Sequence, residues 1–145
     1  MSKLNSSDGV IFLCSLVRER ANGYISMALA ERGIDDLLPA HGAVLQVLFE
    51  NHGMTMGDLA KAARRKKNTL TTLVRSLEKN GYLSKMTDPD DSRVQNVFLT
   101  DKGRETCRIQ HEISLELLGK VWSGVAFEQR KLCADILLRI AANFE

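Results

Sequence analysis

Apolar residues recur every three or four positions through most of the chain, which is the spacing of one face of an α-helix. The first such segment follows three residues that can cap a helix, Ser6, Ser7 and Asp8, and it predicts a helix of about 24 residues that Gly33 ends. Pro39 suits the first turn of a second helix, because its missing N–H group is not needed there. The predicted core face of this second helix is Val44, Leu45, Leu48 and Phe49.

Two shorter helical patterns follow in close succession. Thr55 and Asp58 form a capping box that predicts a third helix through Ala63, and a fourth helix is predicted from Lys67 to a stop at residues 80–81. The fourth helix has one apolar stripe and one polar face, so we expect it to pack on its neighbours along one side only. The predicted buried residues are Leu70, Leu73, Val74 and Leu77, and the predicted outward residues are Lys67, Asn68, Thr71, Thr72, Arg75 and Lys79.

A strand pattern replaces the helical pattern after this stop. Residues 82–87 and 94–99 are strand-like, and residues 88–92 between them have the Asp, Pro and Ser content of a turn. Thr100 can cap a fifth helix, and a sixth helix is predicted over residues 127–142. The predicted inward faces are Ile109, Ile113, Leu117, Val121 and Trp122 in the fifth helix and Leu132, Ile136, Leu137 and Ile140 in the sixth.

This order of elements predicts a winged helix-turn-helix, a mainly α fold with a small β-hairpin wing (α+β). We assign residues 40–103 to the winged lobe and expect residues 1–145 to form a single subunit. The flanking segments, residues 6–33 and 104–145, hold more apolar surface than such a lobe needs. Because large apolar patches on soluble proteins usually mark partner surfaces, we expect these N- and C-terminal helices to form a homodimer.

Positive charge is concentrated in one part of the chain. Residues 61–85 carry a net charge of +7, whereas the whole chain carries only +2. A basic segment that includes a predicted helix-turn-helix favours double-stranded DNA as the partner, although a basic face can also be merely solvated. The eight cations are Lys61, Arg64, Arg65, Lys66, Lys67, Arg75, Lys79 and Lys85.

The outward residues of the fourth helix suit base recognition. Arg75 can bind guanine through two hydrogen bonds, Asn68 can bind adenine in the same way, and threonine methyl groups can contact thymine. In the wing, Asp91 can orient Arg93 into a minor groove, or the wing aspartates can simply cap backbone amides. The candidate DNA-binding residues are Arg64, Arg65, Lys66, Lys67, Asn68, Thr69, Thr71, Thr72, Arg75, Lys85, Asp91 and Arg93.

The wing segment also resembles the signature of the MarR family of transcriptional regulators. The pattern D-x-R…L-T-x-K-G is formed by Asp91, Arg93, Leu99, Thr100, Lys102 and Gly103. Residues 56–60 and 69–83 are similar to the two helices of that family's recognition motif. One departure is Lys66, which stands where a small polar or acidic cap is common, so the usual operator preference is not assumed here.

The resemblance implies a dimeric, sequence-specific DNA-binding regulator, most often a repressor, on an inverted-repeat operator. It also implies release from DNA by a small phenolic or lipophilic effector bound between the dimer helices and the DNA lobe. Core packing is the simpler role for the residues that could line such a site. The candidate effector-binding residues are Phe12, Tyr24, Met27 and His41.

Three other interpretations remain at this stage. Cys14 lies near the position of the reactive cysteine in hydroperoxide-sensing members of the family, although we favour its role as a small apolar residue of a dimer helix, because residues 12–14 together have the pattern of a core segment. A winged-helix module that binds another protein would use the same fold without DNA. A zinc site from His41, His111 and Glu112 is a remote option, because the three histidines lack metal-ligand spacing.

Composition excludes several broad classes of protein. No apolar run approaches the roughly 20 residues that span a bilayer, so no membrane partner is expected. The chain has three widely spaced cysteines, which indicates a reduced, cytoplasmic protein without a disulfide framework. No nucleophile–base spacing or cofactor motif is present, so we expect neither an enzyme nor a bound cofactor or metal.

Overall fold

The computed structural model describes residues 7–145, so the predicted cap Ser6 lies outside the described part of the chain. Six α-helices and a small three-stranded sheet follow a short 3₁₀ turn at Ser7–Gly9. The elements are α1 (Val10–Glu31), α2 (Pro39–Glu50), β1 (Met54–Thr55), α3 (Met56–Ala62), α4 (Lys67–Lys79), β2 (Leu83–Thr87), β3 (Gln95–Leu99), α5 (Asp101–Val121) and α6 (Phe127–Ala142).

Most helix ends lie where the sequence signals predict them, but the start of α1 differs. The residue before α1 is Gly9, and no side chain caps the helix, so the prediction that Ser7 or Asp8 is its cap is wrong. Both residues lie in the preceding 3₁₀ turn, which continues directly into the helix. Gly33 has a φ of +78° just after α1, and Pro39 is the first residue of α2, as predicted.

The sheet contains one strand more than the sequence predicted. Its order is β1-β3-β2 with all neighbours antiparallel, so β3 is central and its Val97 lies opposite both Met54 and Lys85. The additional strand, β1, has only two residues, which is too short for an alternating pattern to appear in the sequence. The two predicted strands each begin one residue later than expected.

The core of the winged lobe forms where α2, α4 and the sheet meet. All four predicted residues of the α4 stripe are buried, and so are Val44, Leu45 and Leu48 of α2. Phe49 is 42% exposed, so its predicted place in the core is wrong. The reason is rotation, because Phe49 lies about 100° around the helix from the buried Leu48.

The last two helices leave much of their apolar surface uncovered within the chain. In α5, Ile113 is buried as predicted, but Val121 is 40% exposed. No residue of α6 is buried, and Leu132, Ile136 and Leu137 are all exposed, so the predicted inward orientation of these side chains is wrong for a single chain. Within residues 7–145, α6 therefore lies outside the core and its apolar side chains stay largely uncovered.

Candidate DNA-binding surface

The helix-turn-helix begins with the predicted capping box. The Thr55 hydroxyl accepts a hydrogen bond from the backbone N–H of Asp58 at 3.1 Å and donates to the Asp58 carboxylate at 2.9 Å. The box therefore fixes the start of α3, whose Leu59 is completely buried. The helix ends at Ala62, one residue before the predicted end.

Helix α4 presents its polar face to solvent, as predicted. The side chains of Lys67, Asn68, Thr72 and Arg75 are exposed, while Thr71 is half-buried. Both threonine hydroxyls donate to carbonyl groups of their own helix, at 2.8 Å for Thr71 and 3.2 Å for Thr72. The side chains of Lys67, Asn68, Arg75 and Lys79 are thus left as the polar groups that can reach a partner from this face.

The basic segment is not neutralised by neighbouring acids. Among residues 7–145, the only carboxylate within 4.0 Å of a cation from 61–85 is Glu78, which lies 3.2 Å from Lys85. This pair joins the first wing strand to α4, so the wing and the helix are adjacent. Lys85 is therefore engaged within the fold, and the other seven cations keep their charge available to an anionic partner.

The wing holds one arginine in a defined position. Arg93 donates from Nε to one oxygen of the Asp91 carboxylate at 3.0 Å and from Nη2 to the other at 3.1 Å. The hydrogen bonds from Arg93 hold the pKa of Asp91 below its usual value. Since the side chain of Arg93 is 88% exposed, the carboxylate orients a guanidinium that still faces solvent. The predicted contact between these two residues is confirmed.

Another wing aspartate performs the capping role that the sequence also allowed. One oxygen of Asp88 accepts hydrogen bonds from the backbone N–H groups of Asp90, at 2.9 Å, and Asp91, at 3.2 Å. The other oxygen accepts from the side-chain amide of Asn96 at 3.0 Å. The backbone hydrogen bond from Asp90 is the largest influence that lowers the pKa of Asp88. In this turn, Asp88 therefore caps backbone N–H groups, whereas Asp91 orients the side chain of Arg93.

A joint at the end of α4 was not anticipated from the sequence. The hydroxyl of Tyr82, a residue that is 1% exposed, donates to the carboxylate of Asp36 at 2.5 Å. The ammonium group of Lys102 lies 4.2 Å from the centre of the Tyr82 ring and donates to the carbonyl of Asn80 at 2.7 Å. This joint connects the end of α4 to the α1–α2 connection and to the start of α5.

The predicted effector-binding residues do not line the cleft that the structure forms between α1, α2 and α5. The cleft has a volume of about 480 Å³ and lies between α1, α2 and α5. His41 is buried nearby, where its Nδ1 accepts a hydrogen bond from the backbone N–H of Leu38 at 2.9 Å and burial lowers its pKa. The residues that line the cleft include Ile25, Leu29, Leu38, Gly42, Gln110 and Ile113, but not Phe12, Tyr24, Met27 or His41.

The remaining candidate groups are dispersed. Tyr24 donates to the carboxylate of Glu116 at 3.1 Å, and Cys14 is exposed on α1. Cys107 is buried, which raises the pKa of its thiol to about 11. Across residues 7–145, no three His, Cys, Asp or Glu side chains are grouped so that they could hold a metal ion. No helix in the same range is both long and apolar enough to cross a membrane.

One curated relative is named as a helix-turn-helix regulator, the type of protein for which this surface is suited. The chain is 28% identical over 100 residues to the uncharacterized HTH-type transcriptional regulator YdgJ of Bacillus subtilis, which covers 69% of this chain and 61% of that protein. The match therefore spans less than two thirds of that relative's length.

Solved structures share the fold over nearly the whole chain. The MepR–DNA complex of S. aureus has a TM-score of 0.80 at 23% identity, covering 91% of this chain and 96% of that one. A mutant MarR from E. coli in complex with operator DNA has a TM-score of 0.79 at 19% identity, covering 94% and 96%. At these identities the likeness establishes the winged helix-turn-helix fold.

A family match covers the segment that carries the candidate surface. Residues 37–94 match the MarR family, and this range extends from the start of α2 into the wing. The capped α3, the amphipathic α4 and the Asp91–Arg93 pair all lie within it. Residues 37–94 are thus a match to the MarR family, a curated relative is named as an HTH-type transcriptional regulator, and the fold is that of a winged helix-turn-helix.

Proposed function

We propose that the protein is a dimeric, sequence-specific DNA-binding regulator that represses transcription from an inverted-repeat operator. The observation that carries the proposal is the exposed polar face of α4, flanked by cations that pair with no carboxylate of residues 7–145 and by a wing whose Arg93 is oriented by Asp91. A helix of this kind fits the DNA major groove, and cations around it bind phosphates.

Different residues would perform different parts of DNA recognition. Arg75 and Asn68 have the side chains that form paired hydrogen bonds with guanine and adenine, and both are exposed on α4. Arg65, Lys66 and Lys67 precede or begin the helix, where contacts to phosphates position the protein without selecting sequence. Arg93 would enter a flanking minor groove, where negative potential increases as the groove narrows.

The dimer is supported by apolar surface that the single chain leaves open. The two ends of the chain contribute it, because α1 exposes large apolar residues near its start and α6 exposes them along its length. Burial of such surface between two copies is favourable by about 25 cal/mol per Å². The most exposed large apolar residues of α1 and of the segment from α5 to the last residues are Ile11, Phe12, Val17, Leu115, Phe127, Leu132, Leu138 and Phe144.

A small effector bound in the cleft would act by changing the relative positions of the helices that line it. The cleft lies between α2 of the DNA lobe and the helices α1 and α5 that we assign to the dimer. A ligand that separates these helices would change the angle between the two DNA lobes of a dimer. Such a ligand shifts the binding equilibrium only by its difference in affinity for the two arrangements.

The test of DNA recognition is a gel shift with DNA flanking the protein's own gene, against an excess of unrelated DNA. We expect Arg75→Ala to weaken specific binding by about 1–3 kcal/mol and to relax base choice at one operator position. Arg108→Ala on α5 is the matched control, since that arginine is exposed and paired with Glu105. Equal loss on all sequences would make Arg75 a phosphate contact, and binding that any DNA competes equally would refute the operator proposal.

The dimer is tested separately by analytical ultracentrifugation. Ile136→Lys places a charge on the exposed face of α6 and should convert the dimer to monomers, whereas Met86→Lys in the wing should not. A wild-type protein that sediments as a monomer at micromolar concentration would refute this part of the proposal.

A further inference from the structure

The turn between α3 and α4 contains an arginine in a conformation that favours glycine. Arg64 has a φ of +51° and is the only non-glycine residue with positive φ among residues 7–145. The other residues with positive φ in that range are four glycines. For an L-amino acid this conformation brings Cβ too close to the following carbonyl oxygen, a contact that glycine avoids.

The hydrogen bonds around Arg64 explain why the left-handed conformation is required. The backbone N–H of Arg64 donates to the carbonyl of Lys61 at 3.2 Å, and that of Arg65 donates to the carbonyl of Ala60 at 3.0 Å. These two bonds form a Schellman motif at the end of α3, in which the residue just past the helix cap is left-handed and usually glycine. The bonds also set the direction in which the chain leaves α3 for α4.

Nothing within the described part of the chain uses the side chain that causes this strain. Arg64 is exposed, and no hydrogen bond or ion pair of its guanidinium is present among residues 7–145. It begins a run of four consecutive cations that leads into the first turn of α4. Strain that no internal contact offsets indicates a side chain that is retained for function.

We propose that Arg64 is an affinity determinant whose guanidinium binds the DNA phosphate backbone at the expense of fold stability. This inference rests on the proposed DNA-binding function. It adds that one residue, Arg64, raises DNA affinity and lowers the stability of the fold. Glycine at position 64 relieves the strain and gives a more stable protein that binds DNA more weakly. The same substitution at position 65 removes an equal charge but relieves no strain, because Arg65 does not have a positive φ.

The stability half of the inference is tested by thermal unfolding of full-length variants at one protein concentration. We expect Arg64→Gly to raise Tm by about 2 °C. Arg65→Gly should lower Tm, because glycine there only adds conformational freedom to the unfolded chain. A Tm for Arg64→Gly that is unchanged or lower than that of wild type would overturn the claim that Arg64 lowers the stability of the fold.

The binding half is tested by the salt dependence of affinity for a duplex of about 30 base pairs that lacks the operator. Each lost phosphate contact reduces the slope of log K against log salt by about 0.9. We expect that reduction per subunit for Arg64→Gly and recovery of the wild-type slope for Arg64→Lys, which keeps the charge. If wild type binds DNA and Arg64→Gly retains the wild-type slope, this inference fails while DNA binding stands. If wild type binds no DNA, the proposed function itself fails.

Discussion

Replacing Tyr82 with Phe removes one hydroxyl from the joint at the end of α4 and leaves the rest of the joint in place. The aromatic ring stays buried, and Lys102 can still lie over it at 4.2 Å. What is lost is the hydrogen bond to the carboxylate of Asp36, which spans 46 residues of sequence. The variant therefore measures how much this bond stabilises the contact between the α1–α2 connection and the winged lobe.

The size of the effect follows from the partner and its surroundings. Hydrogen bonds to charged groups contribute about 1.5–3 kcal/mol to stability. Asp36 is exposed to water, which can replace the hydroxyl, so the lower end of that range applies. We expect Tyr82→Phe to reduce the free energy of unfolding by about 1.5 kcal/mol at pH 7.

The same bond predicts a dependence on pH. Burial raises the pKa of Tyr82 in the folded protein, and the hydrogen bond to Asp36 raises it further. A group whose pKa is raised by folding stabilises the fold fully below its unfolded pKa of about 10, and that stabilisation is lost as pH rises above this value. The difference between wild type and Tyr82→Phe should thus shrink by about 1.4 kcal/mol per pH unit above pH 10.

Urea unfolding of both proteins at pH 7 and pH 11 measures this difference. Tyr24→Phe is the matched control, because its hydroxyl bonds to an exposed carboxylate at 3.1 Å and its loss should have a smaller effect. Equal free energies of unfolding for wild type and Tyr82→Phe at pH 7 would show that this hydrogen bond contributes no more to stability than a hydrogen bond to water does. A difference that persists unchanged at pH 11 would contradict the raised pKa.

Three further predictions concern packing, reactivity and capping. Gly103→Ala should destabilise the fold by about 3 kcal/mol in urea unfolding, because a Cβ at position 103 would lie 2.2 Å from the backbone oxygen of Tyr82. Gly57→Ala meets only an ordinary contact at 3.9 Å and should be neutral or slightly stabilising. Iodoacetamide at pH 8 should modify Cys107 only as fast as the protein unfolds, because the thiol is buried with a pKa of about 11; rapid labelling seen by peptide mass spectrometry would contradict this. Lys66→Ser should raise the free energy of unfolding by about 1 kcal/mol, since no side chain caps α4 at present; an unchanged urea midpoint would mean that the new hydroxyl does not cap the helix.

The parts of the fold that the sequence predicts well are those set by neighbours in sequence. Helix α4 was predicted with its bounds and its buried stripe, because one amphipathic pattern determines both. The contact between Asp91 and Arg93 was predicted because the two residues are only two positions apart. The DNA contacts of these residues remain predictions, since they depend on a partner.

The parts that sequence reasoning missed depend on distant residues. Strand β1 exists because two residues pair with β3, more than 40 positions later, and no local pattern records that pairing. The Tyr82–Asp36 bond was missed for the same reason, since its two residues are 46 positions apart. The wing signature includes Lys102, but it does not reveal that this side chain lies over the ring of Tyr82. Phe49 lies beside the buried stripe of α2, and only the position of the neighbouring elements decides that it stays exposed.

Helix α6 buries none of its own residues, and this has a consequence for how the protein responds to its own abundance. In the dimer proposed above, a second chain covers the apolar surface of α6, so the DNA-binding unit forms in a step that is second-order in protein concentration. Below the dimer dissociation constant, halving the amount of protein reduces the dimer about fourfold. For the proposed repressor, occupancy of the operator in a cell would then change more steeply than the rate of synthesis, and a modest fall in expression would be enough to allow transcription.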